Sequence, residues 1–203
     1  MAFTYETPDD LANESQFLKD EGVFHLAVIN AEEEAKYKRG DKSGQFRNGF
    51  ALDFEVLSPG PHQKKMVEVF GRNPNLNHKD KGEFCRKLQG RILEAIGVIN
   101  PSHYGKQTTI ELVRQDGDKS VVTVMGRQCI AKFKKNEDGY LELDGANIWH
   151  IDDPSAEKCE RLESAVSLLP KSVRRSPESF AKKAASNGSG QTQAAAPASL
   201  DDL

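Results

Sequence analysis

The first half of the chain alternates between apolar and polar residues in the manner of β-strands. Residues 23–31 are rich in β-branched and aromatic residues and end in a charged run. Residues 48–57 alternate with a period of two, which is typical of a half-buried antiparallel strand. One face of this strand carries Phe50, Leu52, Phe54 and Val56. A Ser-Pro-Gly-Pro turn separates it from a third strand at 64–70, so the two strands are predicted to form a hairpin.

The pattern changes to a helical period over residues 82–96. Apolar residues recur there every four positions, which predicts an amphipathic helix that ends at Gly97. The residues at this spacing are Phe84, Leu88, Ile92 and Ile96.

Strand patterns return in the second half of the chain. Residues 108–125 predict two strands around Asp116-Gly117-Asp118, and residues 127–135 predict another. Residues 140–151 predict a last strand with a bulge at Gly145. One helix within a series of antiparallel strands indicates a mostly β protein with an OB-fold-like five-stranded barrel.

Composition divides the chain into an acidic N-terminal segment, the barrel domain, a helix with a basic linker, and a disordered tail with an acidic tip. These parts are residues 1–20, 21–153, 154–186 and 187–203. The helix is predicted over 154–168, with Asp153 as its cap and Pro154 at its first position. The tail is rich in Gly, Gln, Ala and Pro, a composition that cannot bury a core.

Charge is distributed unevenly over these parts. The whole chain of 203 residues has a formal net charge of -3, with 28 Lys+Arg against 31 Asp+Glu. Residues 21–150 nevertheless contain 20 Lys+Arg against 18 Asp+Glu, so the predicted folded part is mildly basic and the acidity lies at the ends. A nucleic-acid surface is therefore permissible on the folded part.

The sequence excludes several other classes of protein. No apolar stretch approaches the roughly 18 residues of a membrane span, and the acidic start does not resemble a secretory signal. The three cysteines are odd in number and far apart, so we expect a reducing cytoplasm. The phosphate-loop, nucleophile-elbow and paired-Cys or paired-His motifs are all missing. We therefore expect a protein that is not an enzyme and needs neither cofactor nor metal.

Aromatic residues lie among cations at several places, and this combination is typical of single-stranded nucleic-acid binding. Unpaired bases stack on aromatic rings while Lys and Arg neutralise the phosphates. The loop candidates are Lys36, Tyr37, Lys38, Arg39, Lys42, Phe46 and Arg47. The strand candidates are Arg72, Arg127, Lys132, Lys134 and Trp149. The alternative is an ordinary solvated surface of mixed charge, and Phe50, Phe54 and Phe133 are better explained as core residues.

The C-terminus suggests a second binding function. A flexible tether that ends in a short acidic and apolar tip is a good ligand for a basic-rimmed pocket on another protein. The tip residues are Leu200, Asp201, Asp202 and Leu203. A solvated tail without a partner is the alternative.

Several short motifs together resemble the phage-type single-stranded DNA-binding proteins. They are GVFHLAVINAEEE, KSGQFRNGFALDFEVLSPG, KKMVEVFGR, a helix ending in RILEAIGV, and GRQCIAKFKKNEDGY. The resemblance covers residues 20–153 and implies an OB-type barrel that binds single-stranded DNA without sequence specificity in replication, recombination or repair. The acidic tail is similar to that of bacterial single-stranded DNA-binding proteins. Those tails usually end in Pro-Phe, whereas this one ends in Asp202-Leu203, and residues 108–125 are longer than the family pattern.

The leading hypothesis is therefore a single-stranded DNA-binding protein whose tail recruits replication or recombination proteins. A non-catalytic adaptor of a replication or recombination complex is the alternative. The sequence leaves both a monomer and a homo-oligomer open.

Overall fold

A computed structural model describes residues 16–37, 42–74, 79–176 and 178–180. Its strands are β1 (Gly22–Glu32), β2 (Gly49–Val56), β3 (Met66–Arg72), β4 (Val113–Asp116), β5 (Lys119–Val122), β6 (Gln128–Lys135) and β7 (Leu141–His150). Its helices are α1 (Lys79–Ala95), a 3-10 turn (Pro101–His103) and α2 (Glu163–Val166). The predicted tail at 187–203 and most of the predicted acidic segment at 1–20 lie outside the described residues.

Five strands form one curled antiparallel sheet in the order β3-β2-β1-β6-β7. Strands β4 and β5, which follow α1 and precede β6 in the sequence, form a separate two-stranded sheet. This pairing confirms the hairpin predicted around Gly117. A helix after the third strand of a five-stranded, partly open barrel is the arrangement of an OB-like fold. The predicted mostly β, OB-like fold is confirmed.

The pairing of the last two strands contains the predicted bulge. Ala131 of β6 pairs with Ile148 of β7, and Phe133 pairs with Leu143. Two residues of β6 therefore correspond to five residues of β7 over this stretch. The extra residues of β7 include Gly145, whose φ of 61° lies in the left-handed region that glycine tolerates.

The main core lies on the inner face of the curled sheet. Alternate residues of β2 point into it, as predicted, together with residues of β1, β3 and β6. The largest side chains that are fully buried there are Phe54, Phe133, Leu26, Leu52, Ile92 and Ile96. Helix α1 packs against both edge strands, β3 and β7, so it bridges the opening of the curled sheet. Of the four predicted apolar positions of this helix, Phe84 does not pack into the core, since its side chain is 55% exposed. Packing against the core begins one turn later, at Leu88.

The packed structure continues past residue 153 on the outer face of the sheet. Residues 156–173, here called the strap, cover a second apolar cluster that includes Ile130, Ile151, Val166 and Leu169. The helix predicted over 154–168 is wrong in extent, because it forms only over Glu163–Val166. Asp153 accepts a hydrogen bond from the Ser155 backbone N–H at 2.8 Å, so it closes a turn there and no helix begins at Pro154.

Contacts with the sheet explain why the first part of the strap is not helical. The backbone N–H of Leu162 donates to Nδ1 of His25 at 3.1 Å, and Arg161 donates to the carbonyl of Ile151 at 2.9 Å. A backbone N–H that bonds to the sheet is not available for a helix, and tertiary contacts of this kind override local helix propensity. Among the described helices, none has the length and apolar character that a membrane crossing requires.

Candidate nucleic-acid interface

The loop between β1 and β2 begins and ends as a narrow ribbon. Tyr37 donates its backbone N–H to Gln45 at 2.9 Å, and Arg47 donates its own to Ala35 at 2.6 Å. Lys36 and Phe46 form an antiparallel bridge between these bonds. Because Ala35 is fully buried, the ribbon is anchored to the body of the protein and holds its neighbouring side chains in place.

Side chains of this ribbon and of β3 form a layer of alternating cations and rings. The Arg47 guanidinium lies 3.9 Å from the ring centroid of Phe70 and 5.6 Å from that of Tyr37. Its NH1 also forms an ion pair with Glu68. Because the guanidinium has a ring partner and a carboxylate partner, its plane is fixed against Phe70.

Lys42 extends this layer, whereas Lys36 and Phe46, which are bridged to each other, form a separate pair on the opposite face of the ribbon from Tyr37 and Arg47. Nζ of Lys42 lies 5.8 Å from the ring centroid of Tyr37, and Nζ of Lys36 lies 5.0 Å from that of Phe46. Phe46 is 64% exposed and Tyr37 is 39% exposed, so both rings are accessible to a ligand. We call this set the cation–aromatic cluster: Lys36, Tyr37, Lys42, Phe46, Arg47 and Phe70.

Five of the seven loop candidates from the sequence therefore belong to one cluster. The predicted loop residues Lys38 and Arg39 lie outside the described residues, as do the predicted partner-binding residues Leu200, Asp201, Asp202 and Leu203. Arg72 is exposed at the end of β3, two residues after Phe70.

The predicted cations of β6 do not join the cluster, because β1 and β2 lie between β6 and β3. Lys132 forms an ion pair with Glu157 of the strap at 3.0 Å. Lys134 forms one with Asp144 at 3.2 Å, and its hydrogen bond lowers the pKa of that carboxyl. Both lysines thus neutralise carboxylates of this chain.

Arg127 and Trp149 both make contacts within the protein itself. Arg127 donates to the carbonyl of Gly97 at 3.2 Å, just beyond the end of α1, and burial lowers the pKa of its guanidinium. Trp149 is half-buried against the apolar cluster under the strap, opposite Ile130. We therefore do not assign phosphate contact to Arg127 or base stacking to Trp149.

Carboxylates lie beside the cluster on the outer face of β2 and β3. Asp53 and Glu68 are cross-strand neighbours, and Glu55 lies two residues along β2 from Asp53. Asp53 also accepts a hydrogen bond from Asn30 of β1 at 3.1 Å. These carboxylates make this part of the outer face unfavourable for an anion, in contrast to the cations of the loop ribbon and of the end of β3.

A groove runs between the two edge strands of the curled sheet, and we call it the seam groove. It has a volume of about 510 Å³. Arg47, Glu68 and Phe70 form its wall on the β3 side, and Tyr140 and Glu142 form its wall on the β7 side. Its remaining lining is largely apolar and includes Leu18, Val67, Val69, Leu88 and Leu143.

Sequence reasoning missed Phe70, Glu68 and Tyr140 as site residues. Phe70 is followed by Gly71-Arg72, an aromatic–cation pair of the type that was used to select the loop residues. Tyr140 is 72% exposed immediately before β7, and a single aromatic residue at such a position has no sequence signal that separates it from an ordinary surface residue. The sequence contains no comparable signal for Glu68.

Within the described part of the chain, no three His, Cys, Asp or Glu side chains come together as metal ligands. The fold and the cluster together define a mostly β, OB-like protein with an accessible cation–aromatic surface beside an apolar groove. Comparisons with known protein families, with curated proteins and with solved structures found no match for this chain.

Proposed function

We propose that this protein binds single-stranded DNA without sequence specificity and protects it during replication, recombination or repair. The observation that carries the proposal is the cation–aromatic cluster, in which Arg47 contacts the rings of both Phe70 and Tyr37. Stacking on exposed rings is available to any unpaired base, because every base has a π face. The resemblance of the sequence to phage-type single-stranded DNA-binding proteins supports the same function.

The cluster favours single strands over duplexes for a physical reason. The exposed rings of Phe46 and Tyr37 can stack only on bases whose faces are free, and a duplex hides those faces in its own stack. Each stacked base contributes roughly 1–3 kcal/mol. The nearby cations Lys36 and Lys42 add a salt-dependent contribution, with a log–log slope of about -0.7 for each phosphate neutralised.

Fluorescence anisotropy with a labelled oligo-dT of about 15 nucleotides, a length at the upper end of OB-fold site sizes, tests the proposal. We expect tighter binding to this strand than to a duplex of equal length, and weaker binding as salt rises. Phe46→Ala should weaken binding about fivefold or more, since it removes one stacking platform. Tyr104→Ala is the matched control, because Tyr104 is a partly exposed aromatic residue outside the cluster.

The contribution of the cations is tested separately. Lys42→Ala should weaken binding and reduce the salt slope, whereas Lys119→Ala, an exposed lysine of the separate β4–β5 sheet, should change neither. Absence of binding at low salt, or equal binding to single strands and duplexes, would overturn the proposal. That result would favour the adaptor, in which the β-domain contacts a protein.

We further propose that the C-terminal tip recruits replication or recombination proteins. An acidic and apolar peptide of this type suits a pocket with a basic rim on a partner. Removing residues 187–203 should leave oligonucleotide binding in place and abolish co-purification of such proteins. Replacement of Leu203 alone by Ala should reproduce the loss if the apolar tip makes the contact, whereas unchanged co-purification would contradict the assignment.

A further inference from the structure

We infer that the seam groove is a pocket for one unpaired nucleobase that bears an exocyclic amino group, with Glu142 as the acceptor of its hydrogen bond. This inference rests on the proposed function and adds a base preference to it. Three properties of the groove carry it, namely its continuity with the cluster, its shape and its charge.

The groove is continuous with the cation–aromatic cluster. Arg47 and Phe70 belong to both, since they form the wall of the groove on the β3 side while Arg47 also contacts Tyr37. A strand whose bases stack along Tyr37 and Arg47 therefore reaches the groove at its next base. On the far side Tyr140 is 72% exposed and offers a second ring to the same base.

The size and lining of the groove suit a flat, partly apolar ring. Its volume of about 510 Å³ lies within the roughly 300–1,000 Å³ of small-ligand sites. The partly buried apolar side chains of Leu88 and Leu143 are available to contact the faces of an inserted base. Aromatic and polar groups at the rim leave room for the sugar and phosphate outside.

The charges of the groove exclude the phosphate and select among bases. Among the lining residues that the structure describes, Arg47 is the single cation, and it already forms an ion pair with Glu68. A phosphate in the groove would therefore meet the Glu142 carboxylate without a cation to neutralise it. A carboxylate accepts a hydrogen bond from the N4 amino group of cytosine, whereas the O4 of uracil is itself an acceptor.

Glu142 can be changed without breaking an observed ion pair. It faces Lys134 across the β6–β7 ladder, but Nζ of Lys134 is paired with Asp144 at 3.2 Å. Glu68, by contrast, holds Arg47 in place, so changing it would disturb the cluster as well as the groove. Glu142→Gln is therefore the informative variant. Glu137→Gln is its matched control, because Glu137 is an exposed carboxylate in the adjoining turn and does not line the groove.

The test compares anisotropy titrations with labelled oligo-dC and oligo-dU at slightly alkaline pH. These pyrimidines have similar shapes and differ at the 3 and 4 positions of the ring. We expect oligo-dC to bind about fivefold more tightly, the lower end of what one good base-edge contact contributes. Glu142→Gln should bring the ratio of the two affinities close to one. Glu137→Gln should leave the ratio unchanged, even if the loss of one negative charge strengthens binding of both strands.

The possible failures are distinguishable. Equal affinities of the wild type for the two strands would overturn the base pocket and leave the proposed function standing. No binding of either strand would overturn both. If affinities are equal and the protein forms a dimer that Tyr140→Ala dissociates, the occupant of the groove is a second copy of this chain.

Discussion

Two buried histidines bond to the strap, and each ring accepts a backbone N–H at Nδ1, a bond that requires a neutral ring. Nδ1 of His25 accepts the backbone N–H of Leu162 at 3.1 Å, while its Nε2 bonds to Oε1 of Gln128 at 2.8 Å. Nδ1 of His150 accepts the N–H of Asp152 at 3.1 Å, while its Nε2 donates to the carbonyl of Val173 at 2.9 Å. A proton on either Nδ1 would replace an acceptor by a donor and break the contact.

The surroundings of each ring disfavour that proton. Burial lowers the pKa of both histidines below the ordinary value of 6.5. The positive charge of Arg161 lowers the pKa of His25 further. The positive charge of Arg175 does the same for the pKa of His150. The hydrogen bond to Gln128 and then the charge of Glu163 raise the pKa of His25, and the bond to Val173 and then the charges of Asp152 and Asp153 raise that of His150, but burial outweighs them.

The sign of the effect on stability follows from proton uptake. Below about pH 6.5 the unfolded chain binds protons that the folded protein excludes, so the free energy of unfolding falls as the pH falls. Each histidine contributes a slope of up to about 1.4 kcal/mol per pH unit, and the two together up to about 2.7 kcal/mol. The loss continues until the pKa of the folded state is reached. The slope becomes small above about pH 7.5, where the unfolded chain no longer binds these protons.

Urea unfolding between about pH 5 and pH 8 measures this dependence. Trp149, the single tryptophan, is a suitable fluorescent reporter because it packs beneath the strap. His25→Gln and His150→Gln should each remove about half of the slope. If a variant does not fold, NMR titration of the wild-type rings gives the same information. A free energy that is flat from pH 5 to 7, or two rings that titrate near 6.5, would refute the reasoning.

Three substitutions test the packing, each by the shift of the urea midpoint. Arg175→Met should destabilise by about 3 kcal/mol, because it removes the largely buried guanidinium that pairs with the carboxylate of Glu94; a loss below about 1 kcal/mol would contradict this. Gly71→Ala should cost about 1–3 kcal/mol, since a Cβ there would lie 2.4 Å from the Phe50 ring; a neutral result would mean that the ring moves aside easily. Gly90→Ala should stabilise by about 0.5–1 kcal/mol, because it improves helix propensity in open space; destabilisation would show an unrecognised contact.

The parts of the fold that were predictable are those governed by local periodicity. The alternation around Phe54 and the Pro-Gly turn after β2 define the β2–β3 hairpin without reference to the rest of the chain. The spacing of Leu88, Ile92 and Ile96 defines α1 in the same way. The strap was not predictable, because its conformation depends on His25, more than a hundred residues earlier, which bonds to Leu162.

In the candidate site, too, local features were predictable from the sequence and contacts with distant residues were not. Alternation correctly placed Lys132 and Lys134 on the outer face of β6, with Phe133 in the core. It could not show that Glu157 and Asp144 would arrive beside these lysines, since strand alternation contains no information about distant partners. The loop candidates were better predicted, because Tyr37 and Phe46 had no apolar neighbours in sequence with which to pack.

The strap also determines where a ligand can bind on the sheet. It covers the outer face over β1, β6 and β7, where it contacts Val23, Ile130 and Trp149. The outer face of β2 and β3 is outside this cover, and the cation–aromatic cluster lies at its edge. The acidic row around Asp53 then keeps phosphates at that edge. If the protein binds single-stranded DNA as proposed, the strand follows a short path from the loop ribbon to the seam groove, and we expect a footprint near the lower end of the roughly 4–16 nucleotides of OB folds.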